Sequence, residues 1–492
     1  MRKNVKKQLA LRALSTAVLM AMVSSIATAA FADTYDLNTG SVTVETRDDG
    51  ITYVTQKDAE INEHPDTTGV TITSNGTQTS NTITVETADK QTTNVTLQDV
   101  NIAVDTVKAK SGAIEIKGDG KTNLELNGDN TVLVENDWSE EHAAIEKADK
   151  YGHGTLTIKD DVNDNGKPKT GTKADTTGTL VAGGYHDAAA IGGGEGEFAD
   201  TSNITITGGK ITASGGTYGA GIGGGYTGDA SNIRIEGNAD VIAFGNSGAA
   251  IGSGYHSRVN SDITITDHAT VTAASLDGCG IGGGQDASGK VTITISGNAS
   301  VNAQTRNPPA AIGSDRSSAT VNIKDNADVT AVGGGVAIGT GYSEGTSTVI
   351  NITGGTVNAV TRDESRPAIG TVKGNLDLTI NSSTGKTTVN TYTTSSDPLS
   401  LNIGTGHYDD SANKYRTSPS EGAEYNEDGS SNLGESNAAV INFYRNTTLG
   451  TDTYNAPKTL DDSAFHPTYE AYGTLYNAKY TLSDKDKGDL YK

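Results

Sequence analysis

Three tyrosines, Tyr226, Tyr255 and Tyr342, each stand four residues after an isoleucine in a recurring A-I-G phrase, and Arg316 fills the same slot in another copy. A tyrosine ring can lie against a sugar while its hydroxyl bonds to the sugar's own, and a flanking Asp or Arg adds further hydrogen bonds. These four side chains are the glycan-binding candidates. Glu195 and Gln285 occupy the slot elsewhere.

A second chemistry is offered by Asp161-Val162-Asn163-Asp164-Asn165-Gly166, the opening of a calcium loop in which oxygen ligands alternate and glycine makes the sharp turn. Its twelfth position is Thr172 rather than a bidentate Glu. A solvated Asx-rich loop is therefore the leading reading, with calcium on Asp161, Asn163 and Asn165 as the alternative. No cofactor is otherwise called for.

Catalytic arrangements fare worse. The histidines His64, His142, His153, His186, His256, His268, His407 and His466 show no zinc-ligand spacing. Gly223 to Gly228 spells G-x-G-x-x-G, but outside any strand-to-helix unit. Cys279 sits two residues before Ile281, where other copies carry Ala189, Ala220, Ala249 and Ala310, so it reads as a small buried hydrophobe rather than a nucleophile. Gly152-His153-Gly154 matches a motif of polygalacturonase-like hydrolases, yet Asp160-Asp161 follows it instead of preceding it. Glu236 stands where that family has lysine after Arg234-Ile235. The basic residues of the repeats fall in different registers. We expect no catalytic residues; a pectate-lyase-like or polygalacturonase-like enzyme is the alternative.

The elements that position these residues come from a repeat. Its anchors are Ile191, Ile222, Ile251, Ile281, Ile312, Ile338 and Ile369, with Ile403 a weaker eighth, spaced by 26 to 34 residues. Between anchors run an I-x-I string, such as Ile204/Ile206, and a V-x-A string, such as Val241/Ala243. Each alternates apolar and polar residues with the period of a half-buried strand. Gly or Asn at the junction, as in Gly237-Asn238, marks a tight corner. One such unit cannot enclose a core, so stacking is required. The expected fold is all-β, a right-handed single-stranded parallel β-helix of about 30 residues and three short strands per coil. Ile206, Ile235, Ile265, Ile295, Ile323 and Ile352 should form one interior column.

The chain divides by pattern into a signal peptide over 1–32, an N-terminal cap or leader over 33–90, the β-helix over 91–405 and a Tyr-rich polar C-terminal cap or small module over 406–492. The leader has a basic start, an apolar stretch from Leu14 to Val23 and Ala30-Phe31-Ala32, predicting cleavage after Ala32. No later apolar run is longer, so no transmembrane segment is expected in the mature chain.

Composition agrees. Only 34% of the 492 residues are hydrophobic and 5% aromatic, against 61 glycines, too little bulk for several globular cores. The net charge of −23 becomes more negative when Arg2, Lys3, Lys6, Lys7 and Arg12 leave with the leader. That charge disfavours nucleic acid, and none is expected as a partner.

The strings Asn203-Ile204-Thr205-Ile206-Thr207-Gly208-Gly209 and Ala220-Gly221-Ile222-Gly223-Gly224-Gly225 resemble repeats of secreted bacterial β-helix proteins described as carbohydrate-binding domain proteins, and of bacterial surface adhesins. The resemblance covers about residues 91–405. It implies an extracellular or cell-surface protein that holds polysaccharide or host glycan on a repetitive face without cleaving it, with calcium in some relatives. A structural envelope spacer is the remaining alternative.

Overall fold

A computed structural model describes residues 33–67, 69–135, 141–161, 178–258, 260–341, 346–363, 366–372, 375–380, 383–393, 403–409, 414–418 and 440–444. The alternating strings form strands that pair in parallel with their equivalents one coil away. Three sheets run the length of the solenoid, with 12, 11 and 15 strands. We call them the I-x-I, V-x-A and anchor sheets.

The registers stack like on like. Ile206, Ile235, Ile265, Ile295, Ile323 and Ile352 are successive Cα partners in the I-x-I sheet, forming the expected column. Ala213, Ala243, Ala273, Ala303, Ala331 and Ala359 do the same in the V-x-A sheet. The anchor isoleucines pair from Ile191 through to Ile403. All of these side chains are buried in one continuous core. A column of branched side chains at the inter-strand spacing of about 4.8 Å removes each from water and packs it against its own kind above and below.

The glycine after each anchor isoleucine has a steric cause. Gly223, Gly252, Gly282, Gly313 and Gly339 all hold φ between +133° and +139°. At Gly252 an added Cβ would lie 1.9 Å from the carbonyl oxygen of Gly282 in the next coil. Only glycine permits that approach.

Parallel stacking also occupies the segment read as a cap or leader. Asp33–Asp36 pairs in parallel with Val70–Thr73, and Val42–Thr46 with Ile83–Thr87. Ile83 continues the anchor column through Ile114 and Ile145 to Ile191. The coils therefore begin upstream of residue 91. They escaped the repeat reading because the phrases around Val42 and Ile83 lack both the preceding alanine and the following glycine. Strands Thr52–Gln56 and Ile61–Asp66 turn antiparallel and end the anchor sheet on that side. At the other end Ile403–Asp409 pairs antiparallel with Lys414–Ser418, and Thr387–Thr393 in parallel with Val440–Tyr444. Among the described residues no helix is long and apolar enough to cross a membrane.

Candidate functional site

Two groups of potential ligand side chains and a set of stacked rings lie in the loops beside the short anchor strands. The first cluster arises where the glycine column begins. Glu146 pairs with Gly192 on one side and with Glu115 on the other, so two stacked carboxylates occupy the slot that glycine fills in later coils. Both residues are buried. Glu146 accepts from the Ala143 N–H at 2.9 Å, and its two oxygens lie 3.0 and 2.8 Å from His142 Nδ1. Glu115 is held by Lys117 at 2.9 Å and by the Tyr151 hydroxyl at 3.2 Å. Burial pushes the Glu146 carboxyl above the usual range, against the stabilising pull of His142. This is a satisfied polar network.

The second cluster lies beside it. Glu141, His186 and Asp187 place one ligand atom each within 4.8 Å of the others. His186 Nδ1 stands 3.3 Å from Glu141 Oε1 and 2.7 Å from Asp187 Oδ1. The Asp187 N–H donates to Glu141 Oε2. Burial, with Asp187 and Glu195 nearby, pushes the Glu141 carboxyl up to about 8 despite that donated bond. Asp187 is raised as well, again mainly by burial.

From His186 the flank becomes aromatic. Its ring meets Tyr218 edge-on at 5.1 Å. Tyr218 stacks on Tyr255 at 5.1 Å, and Tyr226 stacks on Tyr255 at 5.9 Å, with interplanar angles of 29° and 26°. All three tyrosines are half-buried. Tyr255 then adjoins Asp286, whose charge, after burial, raises the phenol. Asp286 pairs with Arg316 at 2.7 Å, and its N–H donates to Asp315 at 2.9 Å. Beyond Arg316 a cavity of about 220 Å³ opens between Asp277, Gln285, Asn307, Asp315 and the buried Arg366.

A third group of acids lies in the loops after the anchor strands. Asp229 is buried, its N–H donating to Asp200 Oδ1 at 3.0 Å. Burial first, then Asp200 and Asp149, pushes its carboxyl up to about 7.

The Beta helix repeat family matches residues 204–226, 263–285 and 350–371, each span running from an I-x-I string to the neighbourhood of an anchor. Those spans coincide with strands that stack in parallel, coil on coil. The chain is a parallel β-helix repeat protein. No curated protein and no solved structure matches it.

The β-helix brings some sequence candidates together and separates others. Tyr226 and Tyr255 share the ladder, and exposed Arg316 stands past its end. Tyr342 lies outside the described residues, as do Asn163 and Asn165. Asp161 is exposed and its carboxylate pairs with Lys159 at 2.9 Å. His153 is exposed, with Asp149 at 3.7 Å, while buried Asp160 accepts from the Gly178 N–H at 3.3 Å. Cys279 is fully buried, and burial pushes its thiol far up, the condition of an inert side chain. Sequence reasoning missed Tyr218, which belongs to the loop before the anchor rather than to the slot after it. It also missed Glu115, Glu141, His142, Glu146 and Asp187. Alignment of Ile114 and Ile145 with the later anchors would have shown two glutamates in the glycine slot.

Proposed function

We propose that this β-helix is a non-catalytic, extracellular or cell-surface glycan-binding protein whose contact surface is the flank from Tyr218 to the Arg316 cavity. The observation that carries the reading is the tyrosine ladder itself, half-buried and continuous with the Asp286, Arg316 and Asp315 network. The rings stack on one another and are half-buried, so each offers part of its surface and its hydroxyl to a ligand. A row of hydroxyls, a guanidinium and carboxylates spaced by coils suits a polyhydroxylated polymer. The reading accords with the polar, acidic surface of a chain at −23, which disfavours polyanions except where Arg316 and Arg366 intervene.

The test is a glycan array with the full chain and a Tyr218/Tyr226/Tyr255 triple alanine variant. Binding to one class of polysaccharide by the parent and its loss in a variant with unchanged circular dichroism supports the reading. Equal binding by both proteins, or release of reducing sugars from the bound polysaccharide, refutes it.

A further inference from the structure

We propose that Glu141, His186 and Asp187 bind a divalent transition metal, zinc being the ion that the donor set fits. The residues come from two successive coils: Glu141 precedes the anchor strand Ile145–Glu146, and His186 and Asp187 precede Ile191–Gly192. They meet only because the coils stack.

The donor geometry is nearly that of a bound ion. Four-coordinate zinc with N and O bonds of about 2.0–2.1 Å sets its ligand atoms roughly 3.3 Å apart. His186 Nδ1 and Glu141 Oε1 are already 3.3 Å apart. His186 Nδ1 and Asp187 Oδ1, at 2.7 Å, need to part by only about half an ångström. Glu141 is oriented for this role, because its other oxygen is held by the Asp187 N–H. Outer hydrogen bonds of that kind fix a ligand's lone pairs toward the ion.

Charge argues the same way. Among the described residues no lysine or arginine forms an ion pair with Glu141, Asp187 or the adjacent Glu195. Acids gathered in a half-buried place with only an imidazole beside them gain most from a dication. One imidazole with two carboxylates selects a borderline ion, whereas calcium and magnesium favour oxygen donors alone. His186 and Asp187 are only half-buried, and the His186 ring meets Tyr218 edge-on. The neighbouring Glu115, His142 and Glu146 group lies deeper and already spends its donors on Lys117, Tyr151 and the Ala143 N–H.

The experiment uses the full chain stripped with chelator and titrated with zinc chloride by calorimetry, and separately with cobalt(II), whose visible absorption reports a four-coordinate N/O site. One zinc per chain is expected. Asp187→Asn and His186→Ala should each weaken uptake at least ~10-fold and abolish the cobalt band, while His142→Ala keeps both. Circular dichroism in chelator should be the same for parent and variants, which separates ligand loss from misfolding; Asp187→Asn decides the matter if His186→Ala does not fold. No zinc uptake by the parent, or loss in His142→Ala with retention in His186→Ala and Asp187→Asn, overturns the assignment. The readout needs no sugar, so its failure leaves the glycan reading standing, and the reverse.

Discussion

The N–H of Tyr226 donates to the carbonyl oxygen of Asp187 at 2.6 Å, one coil earlier. Tyr218 makes the matching bond to His186 at 2.7 Å, and Tyr255 in turn donates to the Tyr218 carbonyl at 2.9 Å. The acid and histidine cluster and the aromatic ladder are thus fastened by one set of inter-coil backbone bonds. A change at either end is felt by the other through coil register as well as through the edge-on contact of the His186 and Tyr218 rings.

Tyr255 is the middle ring of the ladder and touches both Tyr218 and Tyr226. Aromatic pairs contribute about 0.5–1.5 kcal/mol each beyond the area they bury. Tyr255→Ala should therefore weaken glycan binding by roughly two- to tenfold more than Tyr53→Ala, whose ring lies under Arg47 in the antiparallel strands at the N-terminal end. Titration calorimetry with the glycan found on the array checks the ratio.

The glycine column makes a sharper claim about stability. Gly252→Ala places a Cβ against the Gly282 carbonyl in a backbone with φ of +138°, and backbone cannot yield as a flexible side chain would. We expect a loss of about 3 kcal/mol or more in urea unfolding. Gly76→Ala is the control: its φ is +71°, but nothing lies within 4 Å, so about 1 kcal/mol is expected.

The stacked core was legible because each coil repeats the same inward residues at the same period, and Ile206 to Ile352 paired as their spacing implied. The acidic cluster was not. Ile145 and Ile191 are direct partners although 46 residues separate them, since an insertion after Asp161 lengthens that coil and hides its register. Glu141 and His186 are brought together across the same gap, so spacing rules tuned to neighbouring ligands along the chain could not join them. Tyr218 was hidden for a related reason: aromatic stacking joins loops from both sides of the anchor strand, and a slot counted from the anchor isoleucine sees only one of them.

Asp229 gives the fold a pH dependence with a definite sign. Its carboxyl is raised from an ordinary 3.8 to about 7, so the folded chain holds this proton more tightly than the unfolded one. The contribution is complete below the ordinary value and is lost as pH rises through about 7. With chelator present, melting temperature should fall between about pH 4 and pH 7.5, and Asp229→Asn should reduce that fall by a few degrees. Glu141, raised to about 8, acts in the same direction, so a residual slope is expected. A parent whose stability rises across this range would contradict the burial of Asp229.

Cys279 should be silent toward thiol reagents. It is wholly buried, and its thiol is held protonated by burial. Labelling with a chromogenic disulfide is expected to be negligible in native buffer and complete, one thiol per chain, in denaturant.

The account rests on equivalent residues of successive coils lying in one line along the axis. Spin labels at Thr205 paired in turn with Asn322, Asn351 and Thr379, in a Cys279→Ala background, span four, five and six coil steps of the I-x-I sheet. Double electron–electron resonance should give distances growing by about 4.8 Å per step, near 19, 24 and 29 Å before label offsets. Distances that fail to increase with coil number, or that scatter independently of it, would contradict the stack and with it the flank on which the site is built.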